Sequence, residues 1–129
     1  MQLTPFLMFA GNAQSALRSY VALFPDSRIL SLELYAAGER GSEGSVKRAV
    51  FELNGARYMC IDSPVQHDFT FTPSISLFVE CDSLPQFEQL LAALSIEGKV
   101  LMPAGAYGFS QRFAWIQDRF GVSWQFNLP

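Results

Sequence analysis

Pro5-Phe6-Leu7-Met8-Phe9-Ala10, followed by Asn12 to Phe24, returns later as Ser74-Ile75-Ser76-Leu77-Phe78-Val79, followed by Asp82 to Leu94. Each copy is a short apolar run of strand length and then a stretch with helical spacing. A hairpin signature comes later in each half. The first is Asn54-Gly55-Ala56-Arg57-Tyr58-Met59, and the second is Phe120-Gly121-Val122-Ser123-Trp124-Gln125. Two copies of one supersecondary unit commonly pack together and leave a cleft at their junction. A functional site is expected there.

Working outward, Leu3 to Ala10 reads as a fully buried strand, with Asn12 as the cap of the helix that follows. Ala13, Ala16, Leu17, Tyr20, Leu23 and Phe24 keep helical spacing, and Pro25-Asp26 stops it. Ile29 to Tyr35 alternates, with Leu30, Leu32 and Leu34 on one face. Ala37 to Ser45 is a Gly- and Ser-rich loop, expected to be mobile. Val46 to Leu53 and Ala56 to Ile61 flank Asn54-Gly55, two residues that accept positive φ. Asp62 to Thr72 is a connector holding Pro64, His67 and Asp68.

The second half keeps that order. Ser74 to Cys81 is a strand, Asp82-Ser83 can cap, and Pro85 suits a first helical turn. Phe87, Leu90, Leu91 and Leu94 form the apolar stripe, and Gly98 ends the helix. Lys99 to Met102 and Ser110 to Gln117 are strands about a Pro103–Gly108 loop. Asp118 to Gly121 turns into Val122 to Leu128. Strand, helix and three strands therefore occur twice. Leu17 matches Phe87, Tyr20 matches Leu90 and Phe24 matches Leu94. The 129 residues suit one domain, with modules at about 1–62 and 73–129.

Composition bounds the function. Half the residues are hydrophobic, 12 are Phe, and only 16% are charged, against roughly 25% in an average domain. That surplus needs burial, which a dimer or an apolar cleft would supply. Net charge is −3 and the basic residues are scattered, which disfavours nucleic acid. No apolar run approaches the roughly 20 residues of a membrane span. The first residues lack signal-peptide character, so a cytoplasmic location is expected. Cys60 and Cys81 lie in strand-like runs without Cys-x-x-Cys spacing and read as buried free thiols.

At this point the residues resemble a known family. Paired strand-helix-three-strand units mark the vicinal oxygen chelate superfamily, which includes glyoxalase I, extradiol dioxygenases and the fosfomycin and bleomycin resistance proteins. More narrowly, the chain is similar to PhnB-like proteins, many of which are labelled demethylubiquinone methyltransferase. The stretches that carry the likeness are Pro5 to Ala13, Phe51 to Gly55, Phe71 to Ser76, Gly98 to Pro103 and Asp118 to Gln125. The resemblance implies an α+β fold, two βαβββ modules forming a curved mixed sheet around a cleft. The methyltransferase label finds no support in the residues. No glycine-rich loop follows the first strand, and no parallel α/β alternation exists to hold S-adenosylmethionine.

Active members of the superfamily hold a divalent metal on His and Glu from the first and last strands of each unit. Carried onto this chain, those positions fall on Pro5, on Ser74 or Ser76, on Met59 and on Gln125. Proline cannot ligate, methionine is a soft donor, and Ser and Gln are weak ones. The reading is therefore no metal and no cofactor.

What remains is an apolar hollow with a few placed polar groups, which suits a small ligand. Alternation turns Ser123, Gln125 and Asn127 inward, with Arg57, Met59 and Ile61, with Arg48, Val50 and Glu52, and with Ser74, Ser76 and Phe78. His67 with Asp68 reads as an acid–base pair or as a surface loop pair. Glu52 with Arg48 or Arg57 reads as a tuned carboxylate or as a cross-strand ion pair. Tyr107, between Gly105 and Gly108, reads as a gate or as a turn aromatic. Gln125 with Ser74 or Ser76 could orient a ligand carbonyl, or these groups could satisfy one another. Trp115 and Trp124 are assigned to the core, and Cys60 to the face opposite Met59.

The ligand set is thus Gln125, Ser74, Ser76, Met59, Arg57, Glu52, Tyr107 and His67. The expectation is a homodimeric small-molecule-binding protein without the family metal. The alternatives are a lyase, isomerase or dioxygenase with a non-standard site, and a structural or regulatory dimer with a vestigial cleft.

Overall fold

The computed structural model describes residues 1–129. The chain divides into two compact units, Met1–Thr70 and Phe71–Pro129. Each repeats the predicted order of strand, helix and three strands. No helix is long and apolar enough to cross a membrane.

The first unit comprises β1 (Phe6–Phe9), α1 (Ala13–Leu23), β2 (Arg28–Leu34), β3 (Val46–Leu53) and β4 (Ala56–Asp62). Its sheet runs β1-β4-β3-β2, with β1 parallel to β4 and the other pairs antiparallel. Helix α1 buries Ala13, Ala16, Leu17 and Tyr20. The sheet residues buried with them are Ala49, Phe51, Leu53 and Cys60. Period two on the strands and 3.6 on the helix bring these two stripes together.

Three local expectations change here. Strand β1 is four residues long, and only Phe9 is buried while Phe6 is 57% exposed. It is an edge strand paired only with β4, so one of its edges carries no ladder. Asn12 makes no side-chain cap. The N–H of Ala13 is instead taken by Asp62 Oδ1 at 3.0 Å. In β2, Ile29 stands opposite Phe51 and Leu32 opposite Ala49, with a register shift between Ile29 and Ser31. The extra residue, Leu30, is a bulge, which resets the alternation that placed Leu30 with Leu32.

Asn54 and Gly55 form the expected two-residue turn, at φ 51° and 82°. Leu53 stands opposite Ala56 across it. The 37–45 loop folds back on Tyr35. Tyr35 N donates to Ser45 O at 2.9 Å, Gly44 N donates to Tyr35 O at 3.0 Å, and a Cβ on Gly41 would stand 2.3 Å from the Tyr35 ring.

The second unit comprises β5 (Leu77–Glu80), α2 (Leu84–Ser95), β6 (Lys99–Gly105), β7 (Arg112–Gln117) and β8 (Ser123–Leu128). Its order, β5-β8-β7-β6, and its pairing senses repeat those of the first sheet. Ser83 Oγ accepts Gln86 N at 3.3 Å, and proline sits in the first turn. Phe87, Leu90 and Leu94 are buried, as are Trp124, Phe126 and Leu128 on β8. Phe87 meets Phe126 edge-on at 6.5 Å, a geometry that contributes about 0.5–1.5 kcal/mol beyond area burial.

The stop of α2 differs from the expectation. The helix ends at Ser95, and the residue with positive φ is Glu97, at 55°. Gly98 is needed for another reason. A Cβ there would lie 2.4 Å from the carbonyl oxygen of Gln117. Between β7 and β8, Asp118 Oδ1 accepts Phe120 N at 2.9 Å and Val122 N at 3.0 Å, while Oδ2 accepts Trp124 Nε1 at 2.9 Å.

Candidate functional site

Each sheet buries one face under its helix, which leaves the other face to hold a candidate site. On β8, Trp124, Phe126 and Leu128 take the helix side, which turns Ser123, Gln125 and Asn127 away from it. Register then assembles a grid. Ser123 stands opposite Gln117, Gln125 lies between Phe78 and Trp115, and Asn127 lies between Glu80 and Phe113. Ser76, one residue before β5, reaches the same surface.

These side chains form one connected polar chain. Trp115 Nε1 donates to Ser123 Oγ at 2.8 Å. Ser123 Oγ and Ser76 Oγ share a hydrogen bond of 2.6 Å. Gln125 Nε2 donates to Ser76 Oγ at 3.1 Å. The two hydroxyls carry two protons, and the bond between them uses one. A second hydroxyl proton and the oxygen of the Gln125 amide remain for a ligand. Beside the chain stands an aromatic wall. Phe113 is packed by Phe109 at 5.0 Å, Tyr107 at 5.9 Å and Phe78 at 6.5 Å.

Sequence reading places Ser76, Gln125 and Tyr107 here, and Ser123, Asn127 and Phe78 with them. Ser74 is apart, bonded to Thr72 at 2.7 Å. Trp115, assigned to the core, is half-buried with its N–H on Ser123, whereas Trp124 is in the core. Tyr107 donates to Pro103 O at 2.5 Å and stacks on Phe109. Trp115 was legible in principle, because it stands an even number of residues from Phe113 and Gln117, both of which take the open face.

In the first unit the open face carries Arg48, Val50 and Glu52 of β3, Arg57, Met59 and Ile61 of β4, and Phe6 and Met8 of β1. Glu52 stands opposite Arg57, but its ion pair is with neither Arg57 nor Arg48. Arg28 Nε holds Glu52 at 2.9 Å from β2. The bulge at Leu30 hides that partner from a simple alternation count. His67 shares a 2.9 Å hydrogen bond with Ser63 and stacks on Phe69 at 4.7 Å. Its partner is therefore a serine, not Asp68.

Of the positions that the resemblance implies for metal, Pro5 lies beside Met59 and Ser76 beside Gln125, while Ser74 stands apart. Met59 N donates to Pro5 O at 2.9 Å, and Gln125 bonds Ser76. A proline, a thioether, a hydroxyl and an amide do not fit a hard divalent cation. No three His, Cys, Asp or Glu side chains gather closely enough to replace them. The two buried aspartates are committed elsewhere. Asp62 Oδ1 accepts Gly11 N and Ala13 N, and its Oδ2 accepts Val46 N at 2.9 Å.

Cys60 is fully buried on the helix side, opposite Met59, and both cysteines are free thiols. Burial, with the nearby Asp62 carboxylate, pushes the Cys60 thiol up to about 12. Such a thiol is protonated and unreactive at neutral pH.

The architecture is that of the glyoxalase/bleomycin resistance proteins, the vicinal oxygen chelate class. A glyoxylase/bleomycin resistance protein/dioxygenase domain from Frankia shares it with a TM-score of 0.68 at 13% identity, over 99% of this chain and 96% of that one. Within that class the chain belongs to the PhnB-like family, whose model, described as 3-demethylubiquinone-9 3-methyltransferase, matches residues 1–127. A PhnB protein from Bacillus cereus, which carries the same methyltransferase label provisionally, is 45% identical over 100% of both chains, with a TM-score of 0.98. Protein PA1353 from Pseudomonas aeruginosa has the same fold, with a TM-score of 0.86 at 24% identity over 99% and 97% of the two chains. No curated protein matches the chain.

Proposed function

We propose that this chain binds a small, largely apolar organic molecule on the open face of the second sheet, without a bound metal. The observation that carries this reading is the Trp115–Ser123–Ser76–Gln125 chain beside the Phe78 and Phe113 rings. Polar groups in fixed positions on an apolar surface orient a ligand, while the rings supply contact area. The family's methyl-transfer label has no counterpart in this argument. Both sheets are mixed, and Gly11 is the sole glycine between β1 and α1. A doubly wound parallel sheet with a glycine-rich first turn is the usual cradle for a nucleotide-like methyl donor.

The test is a titration of a panel of aromatic metabolites followed by the NMR shift of the Trp115 indole N–H. Native mass spectrometry of freshly purified protein accompanies it. Saturable movement of that resonance, weakened by Gln125→Ala, is the expected outcome. Stoichiometric Mn, Fe, Ni or Zn that is lost in Gln125→Ala would replace this reading with a metalloenzyme. Silence across the panel would leave the structural reading of the fold.

A further inference from the structure

The polar groups on the open face of the second sheet are not uniform along β8. At the Ser123 end donors and acceptors are mixed. At the other end, residues two apart having advanced roughly 6.6 Å each, the exposed group is a carboxylate, Glu80. Asn127 Nδ2 donates to both carboxylate oxygens of Glu80, at 3.2 and 3.4 Å. The same amide keeps a second acceptor, Oδ1, buried and without a partner, in a residue that is 8% exposed. Glu80 itself is exposed and belongs to none of the chain's ion pairs, which are Arg28–Glu52 and Lys47 with Glu33 and Glu39.

An unpaired carboxylate beside an unsatisfied carbonyl dipole is a site of negative potential. Beside it stands the Phe78 ring, 54% exposed, with the buried Phe113 behind. Aromatic faces attract cations as well. An exposed carboxylate and an exposed ring face together select one kind of group, a protonated amine. A neutral hydroxyl would gain neither the charge-assisted bond nor the ring attraction.

We propose that the ligand of this face carries an aromatic body and a protonated amine, with the ammonium on Glu80 and the ring against Phe78. This inference rests on the small-molecule-binding reading above and names its ligand class. The ligand's other end, if it bears a hydrogen-bonding group, meets Ser76 and Gln125.

The experiment compares two probes of matched length, 3-phenylpropylamine and 3-phenylpropan-1-ol. Both are titrated into the full chain while the Trp115 indole N–H is followed by NMR. The amine is expected to bind about tenfold tighter than the alcohol, a difference of about 1.4 kcal/mol. In Glu80→Gln that ratio collapses to near one, and in Glu80→Lys it inverts. Glu80 is exposed, so thermal midpoints close to the parent's should verify folding. Equal binding of the two probes, or a ratio that survives Glu80→Gln, overturns the amine inference and leaves the binding site standing. Failure of both probes at millimolar concentration overturns the amine inference and the binding reading together.

Discussion

Asp62, the last residue of β4, accepts the backbone N–H of Ala13 at 3.0 Å and so caps a helix that starts 49 positions earlier. The same carboxylate takes Gly11 N at 2.8 Å and Val46 N at 2.9 Å. One side chain therefore joins the β1–α1 turn, the start of β3 and the end of β4. Asp62→Ala would strip three backbone donors of their partner, at least two of them buried. Orphaned buried donors cost about 1–3 kcal/mol each, so a loss of roughly 4 kcal/mol is expected. Asp62→Asn, which keeps an oxygen acceptor, should cost roughly half as much. Urea unfolding followed by tryptophan fluorescence measures both. A loss under 1 kcal/mol for the alanine variant would show that the bonds contribute little.

This contact also marks what could be read from the chain. Period and turn chemistry are local, so the repeated strand-helix-three-strand order, the Asn54-Gly55 turn and the Ser83 cap were legible. Partners distant in sequence were not. Asn12 has the composition of a cap, but Asp62 has the position. The match of Pro5 with Ser74 would pair Phe6 with Ile75. Sheet register pairs Phe6 with Phe78, three residues later, because Phe6 faces Met59 as Phe78 faces Gln125. The open faces followed from alternation wherever no bulge intervened. The Arg28–Glu52 pair, beyond the bulge at Leu30, did not.

Gly98 and Gly55 separate two reasons for glycine. Gly55 has φ 82° with nothing within 4 Å of a built Cβ, so alanine there meets only backbone strain, about 1–2 kcal/mol. Gly98 has no positive φ, yet its Cβ would stand 2.4 Å from Gln117 O, a backbone atom that cannot rotate away. Separating α2 from β7 to admit it should cost more, roughly 3 kcal/mol by analogy with overpacked cores. Thermal and urea unfolding of the two alanine variants gives the order. A Gly98→Ala protein as stable as the parent would mean that the α2–β6 connection yields freely.

The Cys60 thiol makes stability fall in alkali. Burial raises its folded pKa to about 12, whereas an unfolded thiol titrates near ~8.5. Between those values the unfolded chain has lost a proton that the folded chain keeps. The unfolded state therefore binds fewer protons, and stability declines as pH rises through that window, by up to about 1.4 kcal/mol per pH unit. Burial raises Tyr58 in the same direction, so part of the alkaline loss persists without Cys60. Cys60→Ala should flatten the slope of unfolding free energy against pH between 8.5 and 11, at the expense of a small cavity. An identical slope in parent and variant would exclude this thiol as the source. Native protein should also resist a thiol reagent at pH 8 until it is unfolded.

The hydroxyls of Ser76 and Ser123 lie 2.6 Å apart and join the Trp115 indole to the Gln125 amide. If they act as a unit in holding a ligand, their substitutions cannot be additive. Ser123→Ala removes the acceptor of the Trp115 N–H and one partner of Ser76. Ser76→Ala removes the acceptor of the Gln125 amide and one partner of Ser123. Each single change should weaken a ligand that bonds the chain about tenfold, and the double variant should lose far less than a hundredfold. The coupling would lie within about 0.5–3 kcal/mol, the range of residues that share one network. The measurement is a double-mutant cycle on the dissociation constant, with the Trp115 N–H shift recorded for each variant. Additive losses would show that the two serines contact the ligand independently. No loss in either variant would place the ligand elsewhere on the sheet, away from the Ser76–Ser123 pair.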